Sequence, residues 1–114
     1  MKFYNPTTKR IGTVNAITLK GRPAFIANYV DEYSVTSSRI RETFEQAKKD
    51  MEKYGYFPFP LESVPGEITT KEKLFGVIRK LTAAGYMFEI RNYYQGGKAD
   101  RAGYMVHILS HKSE

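Results

Sequence analysis

Residues 10–30, RIGTVNAITLKGRPAFIANYV, constrain the fold more than any other stretch of the chain. β-Branched and aromatic residues dominate it, and Lys20-Gly21-Arg22-Pro23 supplies a turn, so the segment predicts a β-hairpin. With Gly21 and Arg22 as the loop residues, Ile17 faces Ile26 and Asn15 faces Asn28. One face then carries Ile11, Ile17, Leu19, Ile26 and Val30. The other carries Val14, Ala16, Phe25 and Tyr29, so neither face is polar. A hairpin apolar on both sides needs cover on both sides. That cover could be a helix on one side and another subunit on the other.

The elements that follow offer the helices. Residues 31–36, DEYSVT, read as a connection, and SSRIRETFEQAKKDMEKYG reads as a helix. Ile40, Phe44, Ala47, Met51 and Tyr54 recur at helical spacing and form one apolar stripe. Thr36 is the predicted N-cap, with Val35 and Ile40 as the hydrophobic staple around it. Gly55 suits the left-handed closing position. Residues 56–67, YFPFPLESVPGE, hold three prolines and a glycine and predict no regular structure. Their aromatics predict a packed crossing loop rather than a linker.

A second helix begins at Thr69-Thr70-Lys71-Glu72, which matches a capping box between Thr69 and Glu72. Leu74, Phe75, Ile78 and Leu81 form its stripe and Gly85 ends it. Residues 86–94, YMFEIRNYY, and 103–110, GYMVHILS, read as a second hairpin, with Phe88 and Ile90 facing the core alongside Tyr104, Val106 and Ile108. The predicted fold class is α+β: an antiparallel sheet from two β-hairpins packed on two α-helices, in the order ββααββ. Neither half carries enough core alone, so residues 1–114 are expected to form a single domain.

Composition narrows the chemistry. A chain of 114 residues can bury roughly 65% of its unfolded surface, enough for a core without staples. With no cysteine there is no disulfide, thiolate metal site or cysteine nucleophile. The N-terminal MKFYNPTTKRIG lacks an apolar run of signal-peptide length, and no later segment approaches about 20 apolar residues. The expectation is a soluble cytoplasmic protein with no membrane partner. Eighteen basic residues against 12 acidic leave a net charge of +6, which favours anionic partners, although solubility alone accounts for such a charge in many small domains.

Catalytic patterns are missing from the sequence. His107 and His111 have no carboxylate at metal-pair spacing. Ser110 and His111 are adjacent, so on a strand they point to opposite faces, and there is no nucleophile elbow. Asp31-Glu32 reads as a solvated turn. Gly96-Gly97-Lys98 lacks the Ser/Thr and the following helix of a phosphate loop. The expectation is a protein that is not an enzyme and carries no cofactor and no metal.

The best binding candidate is RNYYQGGKADRAGY, residues 91–104. Arg91, Lys98 and Arg101 can meet phosphates, Asn92 offers both donor and acceptor, and Tyr93 and Tyr94 offer faces for stacking. Asn92 and Tyr94 also share the parity of Phe88 and Ile90, so they equally suit the end of the core face. Arg39 and Arg41 compete as a second basic site at the start of the first helix, where the dipole does not favour cations. They either receive an anion there or pair with Asp31, Glu32 or Glu42. No groove-reading helix or single-strand-binding motif is present.

The order of elements, with an asparagine, aromatics and arginines on the last hairpin, resembles the phage anti-defence sponges that sequester nucleotide signals, the Thoeris anti-defence family. That resemblance implies a homo-oligomer in the host cytoplasm that captures a phosphate-bearing cyclic nucleotide without hydrolysing it. It implies ligand contacts at Arg91, Asn92, Tyr94 and Arg101, to which the loop reading adds Lys98. Two alternatives stay open: a small basic nucleic-acid-binding protein, and an inhibitor that docks on a host protein.

Overall fold

The computed structural model describes residues 1–94 and 102–114. The chain is α+β and divides into two compact units, Met1–Phe59 and Pro60–Glu114. Among the described residues no helix is long and apolar enough to cross a membrane.

The first unit is a five-stranded antiparallel sheet carrying one helix. Its strands are β1 (Lys2–Asn5), β2 (Arg10–Leu19), β3 (Arg22–Val30), β4 (Thr36–Arg41) and the two-residue β5 (Phe57–Pro58), in the spatial order β4-β3-β2-β1-β5. The helix α1 spans Phe44–Lys53. The long hairpin is β2–β3, and its loop residues are Lys20 and Gly21, with φ of 51° and 76°. Two successive positive φ values mark the turn type whose twist matches its strands. The loop therefore sits one residue earlier than Gly21-Arg22, and Ile17 pairs with Ala24 and Asn15 with Ile26. Both registers keep the same parity, so the two apolar faces are those expected.

Only one of these faces is covered within the unit. Val14, Ala27 and Tyr29 pack with Phe3 of β1, Ala47 and Met51 of α1, and Tyr56, all buried. Tyr29 stacks on Tyr54 with ring centroids 4.9 Å apart. On the other face Ile11, Leu19 and Ile40 are exposed. The packed loop expected at YFPFP is present: Tyr56, Phe57 and Phe59 are buried, and Phe59 lies against the Tyr4 ring at 5.0 Å. Regular structure does occur there, however. Phe57 and Pro58 pair with Tyr4 and Phe3 at the sheet edge, where a proline costs no ladder bond.

The order ββααββ is corrected to ββββαβαββ. The expected helix over residues 37–54 begins seven residues later. Thr36–Arg41 is a strand paired along its length with β3, and Thr36 caps nothing. The N-cap is Thr43. Its hydroxyl accepts from the Gln46 N–H at 3.2 Å, while the Gln46 side chain accepts from the Thr43 N–H at 3.2 Å. This reciprocal pair is the stronger start signal, and a six-residue ladder outweighs the helical propensity of residues 37–42. Gly55, at φ 84°, closes the helix as expected.

Asp31 builds the β3–β4 turn. Its carboxylate accepts from the Tyr33 and Val35 N–H groups at 2.9 and 3.1 Å and from the Ser37 hydroxyl at 3.0 Å. The Val35 bond, with the Tyr33 and Ser37 bonds behind it, holds the Asp31 carboxyl below its ordinary range. A lowered folded value means that the stabilisation is complete above the unfolded value and is lost as pH falls. The Tyr33 and Val35 amides should therefore lose protection, measured against unstructured-peptide rates at the same pH, as pH falls below about 4. In Asp31→Ala they should be weakly protected at every pH, with no further loss of protection in acid.

The second unit holds α2 (Lys71–Ala83) and a two-stranded antiparallel sheet of β6 (Tyr86–Tyr94) and β7 (Ala102–His111). The N-cap is Thr70, one residue beyond the Thr69 of the expected capping box, and its hydroxyl accepts from the Lys73 N–H at 3.3 Å. Gly85, at φ 86°, ends the helix as expected. Leu74 and Leu81 of the expected stripe are buried, but Phe75 is 57% exposed. Val106 and Ile108 are buried on the inner face of the hairpin, whereas Ile90, expected beside them, is exposed. A bulge between Met87 and Phe88 leaves Leu109 unpaired and exposed. Beyond the hairpin, Ile68 joins Tyr104 by two backbone bonds of 2.9 and 2.7 Å.

Candidate functional site

The ladder of β6 and β7 runs to Tyr94 opposite Ala102, so residues 91–94 and 102–104 lie at one end of the hairpin. Strand alternation sends Arg91 and Asn92 to opposite faces. Arg91 is 68% exposed, and its Nη2 meets Glu89 Oε1 at 2.7 Å on the same face. Asn92 pairs with Tyr104 and is exposed. Tyr94 is placed as a backbone position only. Lys98 and Arg101, and with them Gly96-Gly97-Lys98, lie outside the described residues.

The two histidines differ in role. His107 is exposed, paired with Glu89 across the ladder. His111 is buried, edge-on to Tyr86 at 4.7 Å. Its Nδ1 accepts from the Ser113 N–H at 3.1 Å, so its Nε2 carries the proton and donates to the Ala84 carbonyl at 2.8 Å. This bond ties the C-terminal strand to the end of α2. Among the described residues no three His, Asp or Glu side chains are grouped to hold a metal.

The arginines expected at a helix start sit on β4 instead, and their partner is none of the three acids considered. Arg41 grips Asp50 of α1 through Nε at 2.7 Å and Nη2 at 3.1 Å, and Arg39 Nε lies 4.0 Å from the same carboxylate. The bond to Asp50 raises the Arg41 pKa. Both cations face α1 from the edge strand, so this cluster is a clamp between helix and sheet in which Asp50 answers the charge of Arg41.

Among the described residues, concave places of comparable size lie beside Asn5, beside α2 and at the β2–β3 turn, where Leu19, Lys20, Arg22, Pro23 and Ala24 line one of about 410 Å³. In the first unit, a pocket of about 360 Å³ is lined by Asn5, Thr7, Asp31, Glu32, Lys53 and Tyr54. Asn5 is buried and engaged at both ends of its amide: it donates to the Tyr54 carbonyl at 2.9 Å and accepts from the Thr7 and Thr8 N–H groups. The pocket mixes both signs of charge and has no free cation cluster.

In the second unit, a groove of about 440 Å³ runs between residues 61–68 and α2. Leu61, Pro65, Ile68 and Val77 form its apolar walls, and Lys73, Gly76 and Lys80 form the helix side. Neither lysine enters an ion pair among the described residues. Sequence reasoning passed over this groove, although a single glycine within a helical pattern is a signal that could have exposed it. Gly76 is central in α2, where glycine costs about 1 kcal/mol against alanine. Among the described residues a Cβ built there meets nothing within 4 Å, so none of their side chains requires the glycine.

The chain matches no family model, no curated protein and no solved structure.

Proposed function

We propose that the protein is a non-enzymatic binding protein that captures and withholds a small phosphate-bearing nucleotide, and that it works as a homo-oligomer. The observation that carries this proposal is the pair of lysines, Lys73 and Lys80, beside the apolar walls of the groove in the second unit. Arg91, paired with Glu89, precedes Lys98 and Arg101 in the sequence. Cations beside apolar surface suit a ring-bearing anion, whereas a nucleic-acid reader would present a continuous basic face. Self-association is supported by the first unit, where Ile11, Leu19 and Ile40 are exposed on the sheet face opposite α1. The setting implied by the sponge resemblance, a phage-encoded counter to a nucleotide-signalling defence, belongs to the same proposal.

The test is thermal melting of the full chain with a panel of linear and cyclic mono- and dinucleotides. A true ligand at 100 times its Kd adds about 2.7 kcal/mol of stability and raises the melting temperature. No shift with any nucleotide would remove the proposal.

A further inference from the structure

We infer that the groove between residues 61–68 and α2 is itself the ligand seat, and that Gly76 is its floor. The inference rests on the binding role proposed above and assigns that role a place. A mid-helix glycine outside the left-handed region gains nothing from its conformational freedom. It brings no neighbouring group closer, since among the described residues nothing lies within 4 Å of a Cβ built there. What glycine does provide is bare helix backbone in the groove, onto which a flat body can settle closer than any side chain allows.

The charges around that floor define the occupant. Lys73 and Lys80 lie seven residues apart on α2, about 10 Å along the axis, on either side of Gly76. Two flexible ammonium groups at the two ends suit an anion with negative charge at more than one point, or a single phosphate that both can reach. Pro65 and Val77 offer apolar contact to a ring. Glu67 lines the same groove and supplies an acceptor for a hydroxyl or N–H. A flat ring with anionic and hydroxyl groups is the chemistry of a nucleoside phosphate. The volume of about 440 Å³ is that of a small-ligand site. The wall opposite the helix is anchored, because Ile68 is held to Tyr104 by both of its backbone groups.

The groove predicts an unusual pairing of effects in one substitution. Gly76→Ala should raise the melting temperature of the free protein by about 4 °C or more, because alanine is the better helix residue and meets no clash. The same variant should bind the nucleotide found by the melting panel at least about tenfold more weakly. Lys73→Glu and Lys80→Glu, both exposed positions, should each weaken binding by a similar factor and leave the fold intact. Titration calorimetry of wild type, the three groove variants and Arg91→Ala separates the possibilities. Weakened binding in the groove variants, with Gly76→Ala more stable than wild type, supports the groove. Wild-type affinity in all three groove variants with a loss in Arg91→Ala overturns the groove and leaves the binding role standing. Absence of any nucleotide binding by wild type overturns both.

Discussion

Replacing Tyr56 by alanine is expected to cost the first unit about 3–5 kcal/mol. Tyr56 is fully buried and sits among Phe3, Val14, Ala27, Tyr29 and Met51, where the sheet, the helix and the segment after it converge. Its ring lies 6.3 Å from that of Tyr29, and its hydroxyl bonds both the N–H and the carbonyl of Val30 at 3.3 Å. Truncation opens a cavity lined by side chains from β1, β2, β3 and α1, which cannot all move inwards together. Natural domains hold only about 5–15 kcal/mol in total, so the loss is a large share. Hydrogen exchange of the β2 and β3 amides reads this unit directly and should accelerate markedly. Tyr56→Phe keeps the ring and loses only the two long bonds to Val30, and should cost about 1 kcal/mol. Equal effects of the two substitutions would show that the ring does not hold the core.

Gly12→Ala is expected to destabilise the same unit by about 1–3 kcal/mol. In a strand this exchange would ordinarily help by roughly 0.5–1 kcal/mol, since glycine is a poor strand residue. Here the sign reverses. A Cβ at Gly12 would lie 2.9 Å from the Asn28 carbonyl oxygen, 2.5 Å from Met51 Cε and 3.2 Å from the Tyr56 ring. Methionine can swing aside, but the carbonyl is backbone of the neighbouring strand and can retreat only with the sheet. Met51→Ala added to Gly12→Ala should relieve the methionine clash and leave that with Asn28. The double variant should therefore fall short of additivity. A stabilised Gly12→Ala protein, read by denaturant midpoint, would mean that helix and sheet are not so closely packed there. Gly76→Ala is the counterpart in the second unit, where the same exchange meets open space and is expected to stabilise.

Much of the fold was legible because its signals are local. The β2–β3 hairpin follows from alternation and from a turn with positive φ. Gly55 and Gly85 end their helices because the closing position demands φ near +85°, which costs glycine nothing. The strand β4 was not legible, because its Ile40 falls by chance on the helical period of Phe44, Ala47 and Met51. A warning was present: two arginines at the positive end of a helix dipole are an electrostatic misfit. The structure removes the misfit by placing Arg39 and Arg41 on a strand facing Asp50. Of the candidate ligand residues, the sequence could mark Arg91 and Asn92 as neighbours but not supply the groove, which needs residues 61–68 set against α2.

By itself, then, the sequence determined the α+β class, the long hairpin with its two apolar faces, the C-terminal ends of both helices and the absence of thiol chemistry. Each depends on residues within a few positions of one another or on composition alone. Tertiary structure decided the extended state of residues 36–41, the pairing of β1 with β5 some fifty residues away, the Arg41–Asp50 clamp and the groove beside Gly76. The physical reason is that these features gain their free energy only when distant segments meet. A strand or a groove wall is stabilised by its partner, and no short window of sequence contains both sides.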